Sequence, residues 1–174
     1  MHINSPSTLL VAALVLVLCT ACDRAAKHAA ESLRGKPPHE IAGGFMTLSY
    51  AENRGAMLGI GGGLPERTRF LLFTGGVGVL LAGIAGVILF AAALSRPLVI
   101  ALSLILAGGG SNLFDRLSND GRVVDFVILG AAGLRTGIFN LADVAIMIGA
   151  SLVLLAMTGC VNRRDRSQRL WRRI

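Results

Sequence analysis

The sequence predicts an all-α integral membrane protein: four transmembrane helices with a small β-rich extracytoplasmic platform. Two observations carry this reading. The chain of 174 residues is 53% hydrophobic and only 16% charged, with a mean hydropathy of +0.67. A soluble domain of that size carries more charge and shorter apolar runs. Charge-free stretches then run from Met1 to Cys22, from Phe70 to Ser95, from Pro97 to Phe114, and from Thr136 up to Arg163 with Asp143 as the one exception. Each is near or above the roughly 18 residues that a spanning helix needs.

The expected spans are residues 5–25, 69–94, 97–116 and 138–160, in one membrane domain covering residues 1–174 and ending in a basic tail, 161–174. The first has the shortest apolar core, Leu9 to Ala21. Beyond it, Asp23 to Gly35 has the alanine content and charge spacing of helix, stopped by Gly35 and Pro37-Pro38. Phe45 to Tyr50 alternates in part and predicts a strand. Asn53 to Gly59 and Gly61 to Gly63 are glycine-dense, as a tight backbone surface requires. Ser95-Arg96-Pro97 is a turn short enough to force spans two and three antiparallel. Gly108-Gly109-Gly110 lets a neighbouring helix or a substrate backbone approach the third span. Asp120-Gly121 marks a turn, Arg122 to Leu129 is β-branched and extended, and Gly130 to Gly137 returns the chain to the fourth span.

The formal charge of +7 and pI near 10.6 raise nucleic acid as a partner, but the basic residues are not arranged for it. Arg163, Arg164, Arg166, Arg169, Arg172 and Arg173 crowd the chain's end without aromatic interleaving. They predict a cytoplasmic tail held at lipid headgroups, with Trp171 at the interface. The tail and Arg96 favour one side, so both termini are expected to be cytoplasmic, although the first long loop also carries basic residues. Cys19, Cys22 and Cys160 form no disulfide framework.

Three acids stand near the third and fourth spans. Asp115, beside Arg116 and near Arg122, reads as an ion-paired helix terminus. Asp125 lies between branched aliphatics and Phe126, and Asp143 interrupts the apolar run Ile138 to Val161. A bare acid in mid-membrane costs roughly 2.5–3.5 kcal/mol and usually faces a polar site. Two carboxyls in apolar surroundings tend to hold one shared proton. That state suits peptide hydrolysis, the ionised oxygen activating water while the protonated partner polarises the carbonyl. The bland alternative is that Asp143 bonds a neighbouring helix and Asp125 caps a turn. Asn112 and Arg116, at i and i+4, share a helix face that could hold a peptide carbonyl or a lipid headgroup, or merely satisfy the helix's last carbonyls.

Five segments together resemble the motifs of the lipoprotein signal peptidases (signal peptidase II), bacterial membrane aspartyl peptidases. Asp23 and Lys27 match an Asp-x-x-x-Lys pattern; Asn53, Gly55, Ala56 and Gly59 match an Asn-x-Gly-Ala box. Ser111 to Arg116 resembles Gly-Asn-x-x-Asp-Arg, Val123 to Phe126 is Val-Val-Asp-Phe, and Phe139 to Asp143 is Phe-Asn-x-Ala-Asp. The resemblance implies Asp125 and Asp143 as catalytic dyad, and Asn53, Asn112, Arg116 and Asn140 as the groups that orient substrate. It implies Asp23, Lys27 and Gly55 as supporting residues, and neither metal nor organic cofactor. The implied substrate is a diacylglyceryl-modified prolipoprotein, cut before its modified Cys at the outer face of the bacterial inner membrane, with lipids as the other partner. The chain departs from the pattern at Met57 and Leu58, at Ser111 where glycine is usual, and at Thr136-Gly137-Ile138, where a proline is missing.

Two other readings stay open. Leu18-Cys19-Thr20-Ala21-Cys22 resembles a lipobox, which would make the first segment a cleaved signal and the protein a lipoprotein. A small transporter subunit would also explain an intramembrane acid and glycine-rich helices.

Overall fold

The structure is a computed structural model that describes residues 5–91, 94–131 and 134–171, with side chains as far as 158. The tail arginines and Trp171, for which headgroup and interfacial roles are expected, lie outside the described side chains, as does Cys160. Four helices are long and apolar enough to cross a membrane.

Helix α1 (Pro6–Glu31) starts with Pro6 in its first turn and Ser5 as N-cap, whose side chain accepts the Thr8 amide. It continues through the predicted Asp23–Gly35 helix without a break, so Asp23 and Lys27 sit in its last turns rather than in a separate element. Helix α2 is continuous from Glu66 to Phe90 and contains a π-helical stretch, Phe70–Gly76. Helix α3 (Arg96–Ser118) begins with Pro97 in its first turn, and α4 spans Leu141–Trp171.

Strands come from both long connections. β1 (His39–Ile41) and β2 (Met46–Asn53) follow α1, while β3 (Val123–Ala131) and β4 (Leu134–Arg135) follow α3. They form one antiparallel sheet in the order β1-β2-β3-β4. The platform is therefore shared between the two loops rather than built from the first alone. In the central pair Met46 faces Leu129 and Asn53 faces Val123, with a register shift between Leu48 and Ala51 that leaves Ala51 opposite Asp125. Irregularities of this kind re-aim side chains beside functional sites. The sheet rests on the end of α1 through Ala30, Phe126 and Val127, packed with Met46, Leu48 and Phe139.

α3 is the most enclosed span: 44% of its most apolar window is buried, against 11–17% in the other three. Its contact with α4 is backbone to backbone at two levels. A Cβ on Gly108 would lie 2.3 Å from the Ala142 carbonyl oxygen, and one on Gly149 would lie 2.6 Å from that of Ala101. Small residues permit such approach where lipid supplies no hydrophobic drive between helices. Leu14, Val17, Val79, Leu80, Leu154 and Leu155 stay exposed, as lipid-facing side chains must.

Gly108→Ala should consequently lower thermal stability in detergent, since overpacking of this kind costs about 1–3 kcal/mol. Gly110→Ala, whose Cβ would meet nothing within 4 Å, should leave the melting temperature near wild type.

Candidate active site

The polar side chains converge where α1 and α3 end, α2 and α4 begin, and the sheet passes between them. Asp143 is not in mid-helix, as the length of its apolar run predicts. The chain stays extended as far as Phe139, which bridges Val127, and the helix begins at Leu141. Asp143 therefore lies in the first turn, where the helix dipole favours a carboxylate. Asn140 and Asp143 cap one another. The Asn140 Oδ1 accepts the Asp143 amide at 2.9 Å, and the Asp143 Oδ2 accepts the Asn140 amide at 3.3 Å, an arrangement that satisfies two otherwise orphaned donors. The other Asp143 oxygen accepts Asn112 Nδ2 at 2.9 Å.

Asp125 is fully buried on β3. Its Oδ1 accepts Asn140 Nδ2 at 2.6 Å and its Oδ2 accepts Asn53 Nδ2 at 2.9 Å. One side chain, Asn140, thus holds both carboxyl-bearing segments, giving its amide NH2 to Asp125 and its carbonyl to the Asp143 backbone. Burial pushes the Asp125 carboxyl up to about 6; the Asp143 charge adds to this, while the amide donors and Lys27 oppose it.

Behind the acids lies a buried ion network. Lys27, 2% exposed, donates at 2.8 Å to each of Asp23 Oδ2, Asp115 Oδ2 and Asn112 Oδ1. Its three protons are matched by three acceptors, as burial of an ammonium demands. The bond to Asn112 Oδ1 turns that amide so that its NH2 faces Asp143. Asp115 also pairs with Arg24, whose guanidinium lies 4.9 Å from the centre of the Phe114 ring. The expectation that Arg116 and Arg122 neutralise Asp115 is thus corrected. Consecutive helix residues point about 100° apart, so Arg116 faces away from Asp115, and Arg122 bonds Glu52 at 2.8 Å.

Arg116 reaches instead across the glycine loop, giving Nη2 to the Gly55 carbonyl at 2.8 Å, with Phe73 beside its guanidinium. Gly55 is obligatory there, since a Cβ would stand 2.5 Å from the Ile60 carbonyl oxygen. Asn53 holds the same loop, donating to the Ala56 carbonyl at 2.9 Å and accepting the Gly55 amide at 2.8 Å. Arg116 also lines a cavity of about 280 Å³ with Glu66, Arg69, Phe70, Thr74 and Leu117; the cavity meets the site only through that arginine. Among the described residues no group of three or more His, Cys, Asp or Glu could hold a metal ion.

Residues 15–159 match the family model described as signal peptidase (SPase) II. The chain belongs to that family. It is 34% identical to the lipoprotein signal peptidase of Solibacter usitatus, over 81% of this chain and 86% of the other. It is 36% identical to that of a Methylobacterium species, over 90% of this chain and 96% of the other. The fold resembles a bacterial membrane enzyme solved in meso at 2.3 Å, with a TM-score of 0.73 and 25% identity, covering 94% of this chain and 95% of that one.

The structure brings together Asp23, Lys27, Asn53, Gly55, Asn112, Arg116, Asp125, Asn140 and Asp143, the residues that the motifs offer for catalysis, substrate orientation and support. Asn53, Asn112 and Asn140, expected to orient substrate, spend their donors on the two acids, on one another and on the Ala56 and Val124 carbonyls. Sequence reasoning missed Ser111 and Arg24. Ser111 Oγ donates to Asp23 Oδ2 at 2.6 Å. No local signal announces either contact, because each partner lies on another helix.

Replacing Lys27 by Met should strand Asp23 as a buried carboxylate, since Asp115 keeps Arg24 while Asp23 loses its cation. Breaking a buried pair this way costs about 3–5 kcal/mol, so Lys27→Met should melt far below wild type in detergent. Adding Asp23→Asn should recover part of the loss.

Proposed function

We propose that this chain is an aspartic endopeptidase that removes the signal peptide from diacylglyceryl-modified prolipoproteins, cutting before the lipid-modified Cys, with Asp125 and Asp143 as its catalytic dyad. The observation that carries the assignment is Asn140, which bonds Asp125 at 2.6 Å and caps Asp143, and so fixes two carboxyls to a common bracket. Charge supports it. Asp23, Asp115, Asp125 and Asp143 face Arg24, Lys27 and Arg116 in one cluster. Four acids against three cations leave the cluster neutral when the dyad holds a single proton, the state that aspartic hydrolysis requires.

In the proposed reaction Asp143 is the ionised partner, with Asn112 and the first helical turn supporting its charge. It takes a proton from a water molecule, whose oxygen attacks the scissile carbonyl carbon. Asp125 gives its proton to the carbonyl oxygen. Collapse of the tetrahedral intermediate breaks the C–N bond, and the proton on Asp143 leaves with the amine. As the C–N bond breaks, the Asp125 carboxylate takes back a proton from one hydroxyl of the gem-diol, which leaves the carboxylic acid product and restores the starting protonation state. Arg116, tied to the Gly55 carbonyl, supplies the positive charge beside the glycine loop at which a substrate carbonyl would be oriented.

The whole chain, 1–174, acts as one membrane peptidase domain in the bacterial inner membrane, with both termini cytoplasmic and the sheet on the outer face. The tail arginines and Arg96 support this orientation under the positive-inside tendency. A transporter needs polar groups through the full depth, whereas Asp23, Lys27, Asn112, Asp115, Asp125, Asn140 and Asp143 gather at one end of the bundle. The lipoprotein alternative needs α1 cut before Cys22, which would remove Ala12 from its packing against Ile88 and Val99.

Purified protein with a diacylglyceryl-modified prolipoprotein should yield the shortened product, and Asp125→Asn or Asp143→Asn should each abolish it while the protein stays folded. More than a few per cent residual cleavage in either variant would overturn the dyad. The rate should be bell-shaped in pH, because two protons or none disable the pair. Asp125 loses its proton as pH rises, so kcat/KM should descend with a midpoint of about 6. In kcat that limb should move higher, since bound substrate excludes more water. A flat profile between pH 5 and about 8 would count against the shared proton.

A further inference from the structure

We infer that Ser111 is a positioning residue for catalysis, fixing the first turn of α4, and with it Asp143, through Asp23. The inference rests on the dyad assignment above. Ser111 is 2% exposed on α3, and its hydroxyl donates to Asp23 Oδ2 at 2.6 Å. The other Asp23 oxygen accepts the Ala142 backbone amide of α4 at 2.9 Å. An amide in a first helical turn has no partner inside its own helix, and here a carboxylate from a different span supplies one.

Asp23 thus caps α4 from outside, and its direction decides where that turn sits. Three contacts hold the carboxylate: Ser111, Lys27 and the Ala142 amide. Lys27 is shared with Asp115 and Asn112, so its bond alone leaves the carboxyl free to rotate about the Lys27 axis. The Ser111 hydroxyl removes that freedom. On the opposite side the turn is pressed on Gly108, whose missing Cβ admits the Ala142 carbonyl. Ala142 is thereby held at both its amide and its carbonyl, and Asp143 is the next residue. Sequence pattern alone gives Ser111 no role, since glycine is the residue that the related motif carries here. In this chain the hydroxyl adds a tie that glycine cannot make.

The test is Ser111→Ala in the full chain, assayed with a diacylglyceryl-modified prolipoprotein peptide and by hydrogen exchange. A misplaced carboxylate slows chemistry without altering substrate affinity, so kcat should fall about three- to tenfold with KM within about twofold. Exchange should quicken in the amides of Leu141 to Val144 and stay unchanged elsewhere in α4. Ser111→Gly, which also removes the hydroxyl, should behave alike and guards against a packing artefact of alanine. Wild-type kcat in both variants, or slow exchange in the first turn of α4, overturns the inference. So does a loss spread over the whole bundle, which would mark Ser111 as a stabilising residue only. Quickened exchange in a protein whose wild type cleaves nothing would count against the peptidase reading and leave the cap intact.

Discussion

A single ammonium group organises the polar end of this bundle. Lys27 is buried and bonded to two carboxylates and an amide on two different helices. Uncompensated charge cannot be held away from water, so the side chains that meet Lys27 must come together, and the helices carrying them must stop at matching depths. α1 and α3 are coupled by that requirement, and α4 is joined to them by Asp23 and Asn112. The apolar contacts lower in the bundle, such as Ala12, Ile88 and Val99, hold helices together without specifying register. The ion network specifies it.

The amides around Asp125 and Asp143 divide the labour differently from a simple substrate-binding lining. Asn112 takes its orientation from Lys27 and passes it to Asp143, and Asn140 takes its orientation from the start of α4 and passes it to Asp125. Asn53 does the same from the glycine loop. Each carboxyl is therefore held by groups that are themselves held. Preorganisation of this kind avoids reorganisation cost at the moment of reaction. Arg116 stands apart, tied to the Gly55 carbonyl rather than to either acid.

The spans were legible in the sequence because lipid demands uniform hydropathy, and β3 was legible because Val123 to Ile128 is branched and apolar around one acid. What stayed hidden has one physical cause: partners across spans leave no local trace. Asp115 has Arg116 next to it in sequence and Lys27 next to it in space. The beginning of α4 was obscured because Ile138 and Phe139 are as apolar as the helix they precede, though they belong to the sheet side of the turn. Asn140 before Leu141-Ala142-Asp143 was the available clue, a capping pattern overshadowed by hydropathy. The shared sheet was half visible, since two extended segments could be seen but not their pairing.

The sharing of the sheet between the two loops bears on how the protein is made. β2 pairs with β3, residues separated by two complete spans, and the two carboxyls reside on β3 and on the last helix. During synthesis the first half of the chain emerges with Asn53 and Lys27 but with neither Asp125 nor Asp143. Asp125 arrives only after the hairpin of α2 and α3 has inserted, and Asp143 only with the final span. The polar cluster around Asp125 and Asp143 is therefore complete only once the last helix has docked.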